Sequence, residues 1–154
     1  MTRTTLLRFL FAILIGLFAL SSLAPSPAYA SSPGADAAAS GKRIVVYLNQ
    51  QRLYAYNGNT LVASMAVNAR GTARGNFKVQ NRLLLVNSII RGWRLPYWMG
   101  IYYVGRIQNG IHGPEYLNNG RLAFNSLGCV VILSKANASW LFRWAPVGTP
   151  VLIR

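Results

Sequence analysis

Apolar and polar positions change rhythm repeatedly along this 154-residue chain. Phe9 to Ala24 is an almost unbroken apolar run, whereas Ser31 to Gly41 is built of Ser, Pro, Gly, Ala and Asp36 with no periodicity. From Arg43 the pattern becomes one of strands, with short apolar stretches between turn residues. Ile44 to Leu48 predicts a first strand and Asn49-Gln50-Gln51 a polar turn. Leu53 to Tyr56 predicts the return strand, closed by Asn57-Gly58, the strongest short hairpin signal in the chain. Leu61 to Val67 predicts a third strand, and Asn68 to Asn76 a loop punctuated by Gly71 and Gly75. Phe77 to Val86 reads as a further strand or pair of strands. Past Gly92 come Trp93, Leu95, Tyr97, Trp98 and Met99, interrupted by Pro96. Proline confines a strand to an edge or ends it, so an irregular strand is expected here, followed by another over Ile101 to Val104.

Helical rhythm occurs once. Ser134 is a suitable N-cap, and Ala136, Trp140, Leu141 and Trp144 fall at i, i+4, i+5 and i+8, an apolar stripe that Pro146 stops. Val151-Leu152-Ile153 predicts a closing strand. The fold class expected is mainly β, a β-sandwich of mixed sheets with one short packed helix.

The chain's start is processing signal rather than fold. A basic segment with Arg3 and Arg8, the apolar run, the Pro25-Ser26-Pro27 break and Ala28-Tyr29-Ala30 form a secretory signal peptide over 1–30, with cleavage expected after Ala30. The alternative is a retained membrane anchor, but its sixteen-residue apolar core is short against the ~20 residues of a spanning helix. Residues 31–42 are then a flexible linker, and 43–154 a single domain. The expected location is the extracytoplasmic cell envelope.

Charge narrows the partners. Sixteen Lys and Arg stand against two acids; without Arg3 and Arg8 the balance is 14 − 2 = +12. Such a surface favours polyanions. The basic residues are scattered, with no basic helix or RNA-binding aromatic motif, and export removes the protein from cytoplasmic nucleic acid. Anionic envelope polymers or lipid headgroups are the expected partners, with membrane association expected only if the signal is retained; a cationic surface with no particular ligand is the bland alternative.

Candidate chemistry is concentrated in Ile111 to Ile132, which holds the chain's only histidine, His112, and its only cysteine, Cys129, seventeen positions on. Taken alone, a cysteine is most often a small hydrophobe and a histidine a hydrogen-bonded structural residue. An exported chain normally pairs its cysteines, so an unpaired thiol points to chemistry or an intermolecular bond. A thiol titrates near ~8.5 and needs a base. A neighbouring imidazole supplies it, giving a thiolate–imidazolium pair. Gly128 and Cys129 lead into the apolar run Val130 to Leu133, a buried strand, and their N–H groups are candidates for an oxyanion hole. Such donors contribute ~3 kcal/mol each. The only acids are Asp36, in the linker, and Glu115. No Asp-type triad can be built from them, and a backbone carbonyl has to hold the imidazole tautomer. One His, one Cys and two acids make no ordinary metal site, so neither metal nor cofactor is expected.

His112-Gly113 followed by Ser126-x-Gly128-Cys129 resembles the signature of the L,D-transpeptidase catalytic domain, also called YkuD. Ile44 to Tyr56 resembles that domain's opening hairpin, Thr72 to Phe77 its Thr-Pro-x-Gly-x-Phe element, and Ala145 to Val151 its closing strand. The resemblance implies a secreted enzyme that forms peptidoglycan cross-links between stem peptides through a thioester on Cys129. It implies His112 as the proton carrier, the Gly113 carbonyl as its orienting group, and Ser126 as a loop-shaping residue. With water as acceptor the same chemistry gives an L,D-carboxypeptidase. A cationic wall-binding module without turnover is the non-enzymatic alternative.

Two positions depart from the family pattern: Val131 stands where an Arg or Asn is usual, and Ala73 replaces the proline. Arg94, Arg106 and Arg121 are the candidates to grip a substrate carboxylate instead. Trp93, Tyr97, Trp98, Tyr102 and Tyr103 are candidates for the wall of a cleft, the alternative for each being the core. Of these, Arg94, Trp98, Tyr103 and Arg121 are the chosen substrate contacts.

Overall fold

The computed structural model describes residues 41–154. The expected signal peptide, and the expected linker up to residue 40, lie outside the described residues. The first hairpin forms where alternation predicts it, from β1 (Lys42–Tyr47) and β2 (Arg52–Asn57). Ile44 pairs with Ala55 and Val46 with Leu53, so all four side chains point into the core. β3 (Thr60–Asn68) extends the sheet beside β2. The expected strand region 77–86 is divided between two partners: β4 (Gly75–Lys78) joins the closing strand β11 (Pro150–Ile153), while β5 (Asn81–Asn87) pairs only with β6 (Arg94–Val104).

β6 corrects one expectation. It is a single strand of eleven residues, with Pro96 inside it and partners on both sides. The missing N–H costs one donor, but the Pro96 carbonyl is used, accepting from the Gly113 N–H at 2.9 Å. Its neighbour Tyr97 adopts a φ of +57°.

Beyond β6 the chain adds β7 (Ile107–His112), β8 (Glu115–Tyr116), β9 (Leu122–Ala123) and β10 (Val130–Ile132). The hydrogen-bonded order is β4-β11-β1-β2-β3-β10-β7-β6-β8-β9, with β5 on β6. β1–β11 and β10–β7 are parallel and the other pairs antiparallel, so the sheets are mixed. Phe77 on β4, the first strand of that order, stacks on Tyr102 of β6, near its other end, at 4.8 Å, so the two halves pack face to face as a sandwich.

The helix α1 (Lys135–Trp144) starts where predicted: the Ser134 hydroxyl accepts from the Asn137 N–H, and the Ala145 N–H closes on the Leu141 carbonyl. Its inward stripe is not the one expected. Ala138, Leu141 and Ala145 are buried and Ala136 is exposed. Trp140 and Trp144 instead stack on each other at 5.5 Å, half-buried along the edge of the contact. A helix gains four residues in slightly more than one turn. The large side chains at 140 and 144 therefore flank the stripe centred on 141.

Candidate active site

Parallel pairing of β10 with β7 builds the site. Val130 lies opposite Ile111 and Val131 opposite His112, so β7 ends at the histidine beside the strand that Cys129 enters. Both side chains line one cleft, together with Trp98, Asn109, Glu115, Asn125 and Leu127 and with the loop after β5.

The backbone around Cys129 is clamped. Tyr102 donates its hydroxyl to the Gly128 carbonyl at 2.6 Å and accepts from the Ala73 N–H at 3.1 Å. Thr72 Oγ1 donates to the Cys129 carbonyl at 2.9 Å. Ser126 Oγ sits 2.6 Å from that same carbonyl and 2.5 Å from that of Arg70, between two loops. Gly128 has a φ of +109°, and a Cβ there would lie 2.6 Å from Asn109 Oδ1. Only glycine gives the chain this turn with the amide so close.

His112 is fixed as firmly. It is 1% exposed, and its Nδ1 lies 2.7 Å from the Gly113 carbonyl. A carbonyl only accepts, so Nδ1 carries the proton and Nε2 is the free base. Gly113 is held in turn by Pro96 through its N–H, and a Cβ on it would press on Ala138 Cβ at 3.1 Å. The imidazole stacks on Trp98, 5.8 Å between centroids.

Burial sets the protonation states. It lowers the His112 pKa to about 4, with the Gly113 carbonyl pulling weakly the other way. It pushes the Cys129 thiol up to about 11, opposed by the Gly110 N–H beside the sulfur and reinforced by the Glu115 charge. Both shifts favour a thiol and a neutral imidazole near neutral pH over the thiolate–imidazolium pair expected from the sequence. The reason is desolvation, which disfavours both charged forms.

The candidates for substrate contact divide. Trp98 lines the cleft. Arg94 lies in a separate hollow with Tyr116, Leu117, Asn118 and Gly120. Tyr103, 57% exposed, belongs to another hollow beside β4. Arg106 and Arg121 are exposed and line neither the cleft nor those hollows. The guanidinium that does line the cleft is Arg91. Val131 is fully buried in register with His112, giving the imidazole an apolar neighbour where the family has a polar one.

Three cleft residues had no role assigned from the sequence. Asn109 is 5% exposed, with Oδ1 3.7 Å from Cys129 Sγ. Glu115 is 6% exposed and accepts from the Asn125 N–H at 3.4 Å. Its pKa is raised by burial, against the Asn125 hydrogen bonds and the Arg91 charge. Arg91 is the third. A signal existed for two of them, since Asn109 and Glu115 stand three residues either side of His112.

The mixed β-sandwich thus places a thiol and a carbonyl-tethered imidazole on one cleft. The sequence profile described as the L,D-transpeptidase catalytic domain, YkuD, matches residues 41–153, and the chain belongs to that family. Solved structures with the same fold include the L,D-transpeptidase (Yku) from Stackebrandtia nassauensis, with TM-score 0.61, 23% identity, and 74% of this chain and 55% of that one covered. Mycobacterium tuberculosis L,D-transpeptidase 1 aligns with TM-score 0.59 and 17% identity over 73% of this chain and 61% of its own. The L,D-transpeptidase LdtMt1 in complex with imipenem aligns with TM-score 0.60 and 20% identity, over 74% of this chain and 59% of its own. This chain therefore spans between half and two-thirds of the length of these structures. Comparison with curated proteins found no match.

Proposed function

We propose that this protein is an exported L,D-transpeptidase that joins peptidoglycan stem peptides through a thioester on Cys129. The observation that carries the reading is the tethered imidazole: Nδ1 is occupied by Gly113, which leaves Nε2 as the base on the cleft that holds the thiol. Cys129 Sγ attacks the carbonyl carbon of an L-centred diamino-acid residue joined to a terminal D-Ala. Because the thiol starts protonated, Nε2 takes its proton as the S–C bond forms. The oxyanion rests on the Gly128 and Cys129 N–H groups. Collapse breaks the C–N bond, and the imidazolium returns the proton to the departing D-Ala amine. An acceptor amine then attacks the thioester, Nε2 takes its proton, and the new amide forms as the thiol leaves and is reprotonated. Export rests on the signal-like features of residues 1–30.

The test is to incubate the protein with a tetrapeptide muropeptide, with and without an acceptor, and weigh the products. Loss of D-Ala with gain of the acceptor supports transpeptidation, and gain of water in its place identifies a carboxypeptidase. A carbapenem, the class of ligand in one of the similar structures, is expected to add its mass to the wild type and not to Cys129→Ala. A wild-type thiol that stays unmodified, with donor peptide unchanged, overturns the reading.

A further inference from the structure

The hairpin of β5 and β6 carries a run of exposed apolar side chains. Leu83, Leu84 and Leu85 are 53%, 69% and 44% exposed, and Ile89 and Ile90 at the tip 80% and 53%. Three consecutive exposed leucines occupy both faces of the strand, since successive side chains alternate. β5 has a partner on one edge only, so the hairpin stands at the margin of the sheet. Isolated exposed apolar residues need no explanation, but a contiguous set marks a contact site.

What surrounds the patch identifies its partner. Trp93 sits beside the tip, with the Arg91 guanidinium 4.8 Å over its ring, and Arg94 follows, 5.9 Å over Tyr116. Residues 41–154 hold 16 − 2 = 14 Lys and Arg, after Arg3 and Arg8 are set aside, and one acid, Glu115, a balance of +13. A second copy of so cationic a domain repels the first. A purely polyanionic polymer would engage the arginines and leave five aliphatic side chains in water. An anionic bilayer satisfies both: aliphatic and Trp side chains enter the interfacial layer while Arg meets the phosphates. No described helix is long and apolar enough to cross a membrane.

We propose that the β5–β6 hairpin docks this domain on an anionic phospholipid surface, with Leu83, Leu84, Leu85, Ile89 and Ile90 inserted and Arg91 and Arg94 at the headgroups. Leu83, Ile89, Ile90 and Arg91 also line the cleft of Cys129. Docking would therefore hold the cleft mouth beside the lipid. The inference does not depend on the proposed reaction.

The chain beginning at Ser31 keeps every described core residue, from Ile44 to Ile153, and removes the apolar N-terminal run from the measurement; its Tm checks that it folds. It is sedimented with phosphatidylcholine vesicles, with and without phosphatidylglycerol. Wild type is expected on the phosphatidylglycerol vesicles, with binding weakened about tenfold or more in Leu84→Glu/Ile89→Glu at unchanged Tm. Equal binding by the double variant would mean charge alone and overturns the proposal. So does wild type that ignores vesicles but self-associates in analytical ultracentrifugation. Should the double variant not fold, brominated phosphatidylglycerol decides with unaltered side chains. Quenching of wild-type fluorescence that Trp93→Phe diminishes supports insertion; no quenching overturns it.

Discussion

At the junction of β7 and β10 almost every group is buried and partnered, whereas on the β5–β6 hairpin across the cleft apolar side chains stand in water. His112 is 1% exposed and Ile89 80%. At the floor, the fold controls position and protonation through desolvation and backbone hydrogen bonds. At the rim, it leaves surface whose use lies outside the domain. Substitutions at the floor should therefore alter chemistry, whatever they do to stability, and those at the rim should leave chemistry alone while altering what the protein touches. The largest separation is expected at the sulfur. Cys129→Ala should lower turnover by about 10⁴-fold or more and change stability by less than about 1 kcal/mol, read by product mass and Tm.

Next comes pH. The folded His112 pKa, about 4, lies below the ordinary value of 6.5. A depressed folded pKa contributes stability above the unfolded value, and that stability is lost as pH falls toward the folded one. Tm should drop between pH 6.5 and 4, by an amount equivalent to roughly 3 kcal/mol, and the acid limb of kcat/KM should fall near 4 rather than 6.5. Val131→Asn sharpens this: a polar neighbour in register with the imidazole should move that limb upward. A limb that stays in place would show that the apolar partner has no part in holding His112 neutral.

Glycines offer a matched pair. Gly128 has a φ of +109° and a Cβ clash at 2.6 Å, while Gly92, at the hairpin, has a φ of +65° and nothing within 4 Å. Gly128→Ala should cost about 2–3 kcal/mol and carry turnover down with it, by tilting the Cys129 N–H. Gly92→Ala should cost about 1 kcal/mol and leave turnover as it was. Equal costs would mean that backbone strain alone, and not the contact with Asn109, demands glycine at the floor.

How far the sequence exposed this architecture depends on whether a feature is local. The Asn57-Gly58 hairpin, the Ser134 cap and the Pro146 stop are each written within a few neighbouring residues, and all stand where expected. The floor was visible because the chain has one His and one Cys. Its protonation state was not, since desolvation comes from burial, which only register and folding produce. Asn109 and Glu115 are near His112 in sequence, but only the strand order shows that they share its cleft. Arg94 and Arg121 were chosen for charge, and charge carries no direction; Arg91 reaches the cleft because the loop after β5 turns back over it. Pro96 obeyed a rule about missing donors and evaded its consequence through its carbonyl. Ala136 fell on the right period and the wrong side.

The smallest expected effect bears on the comparison most directly. Leu84 is 69% exposed and does not line the cleft. Leu84→Ala should leave stability within about 0.5 kcal/mol of wild type, read by Tm, and soluble-substrate turnover unchanged, since truncating an exposed leucine loses little burial. If stability falls by 2 kcal/mol or more, in the range of buried leucine truncations, then Leu84 is covered in solution, and the hairpin belongs to the core rather than to a rim. A null result on both readouts leaves a leucine that the fold does not need and water does not favour, a residue whose use must be sought in a contact outside the domain.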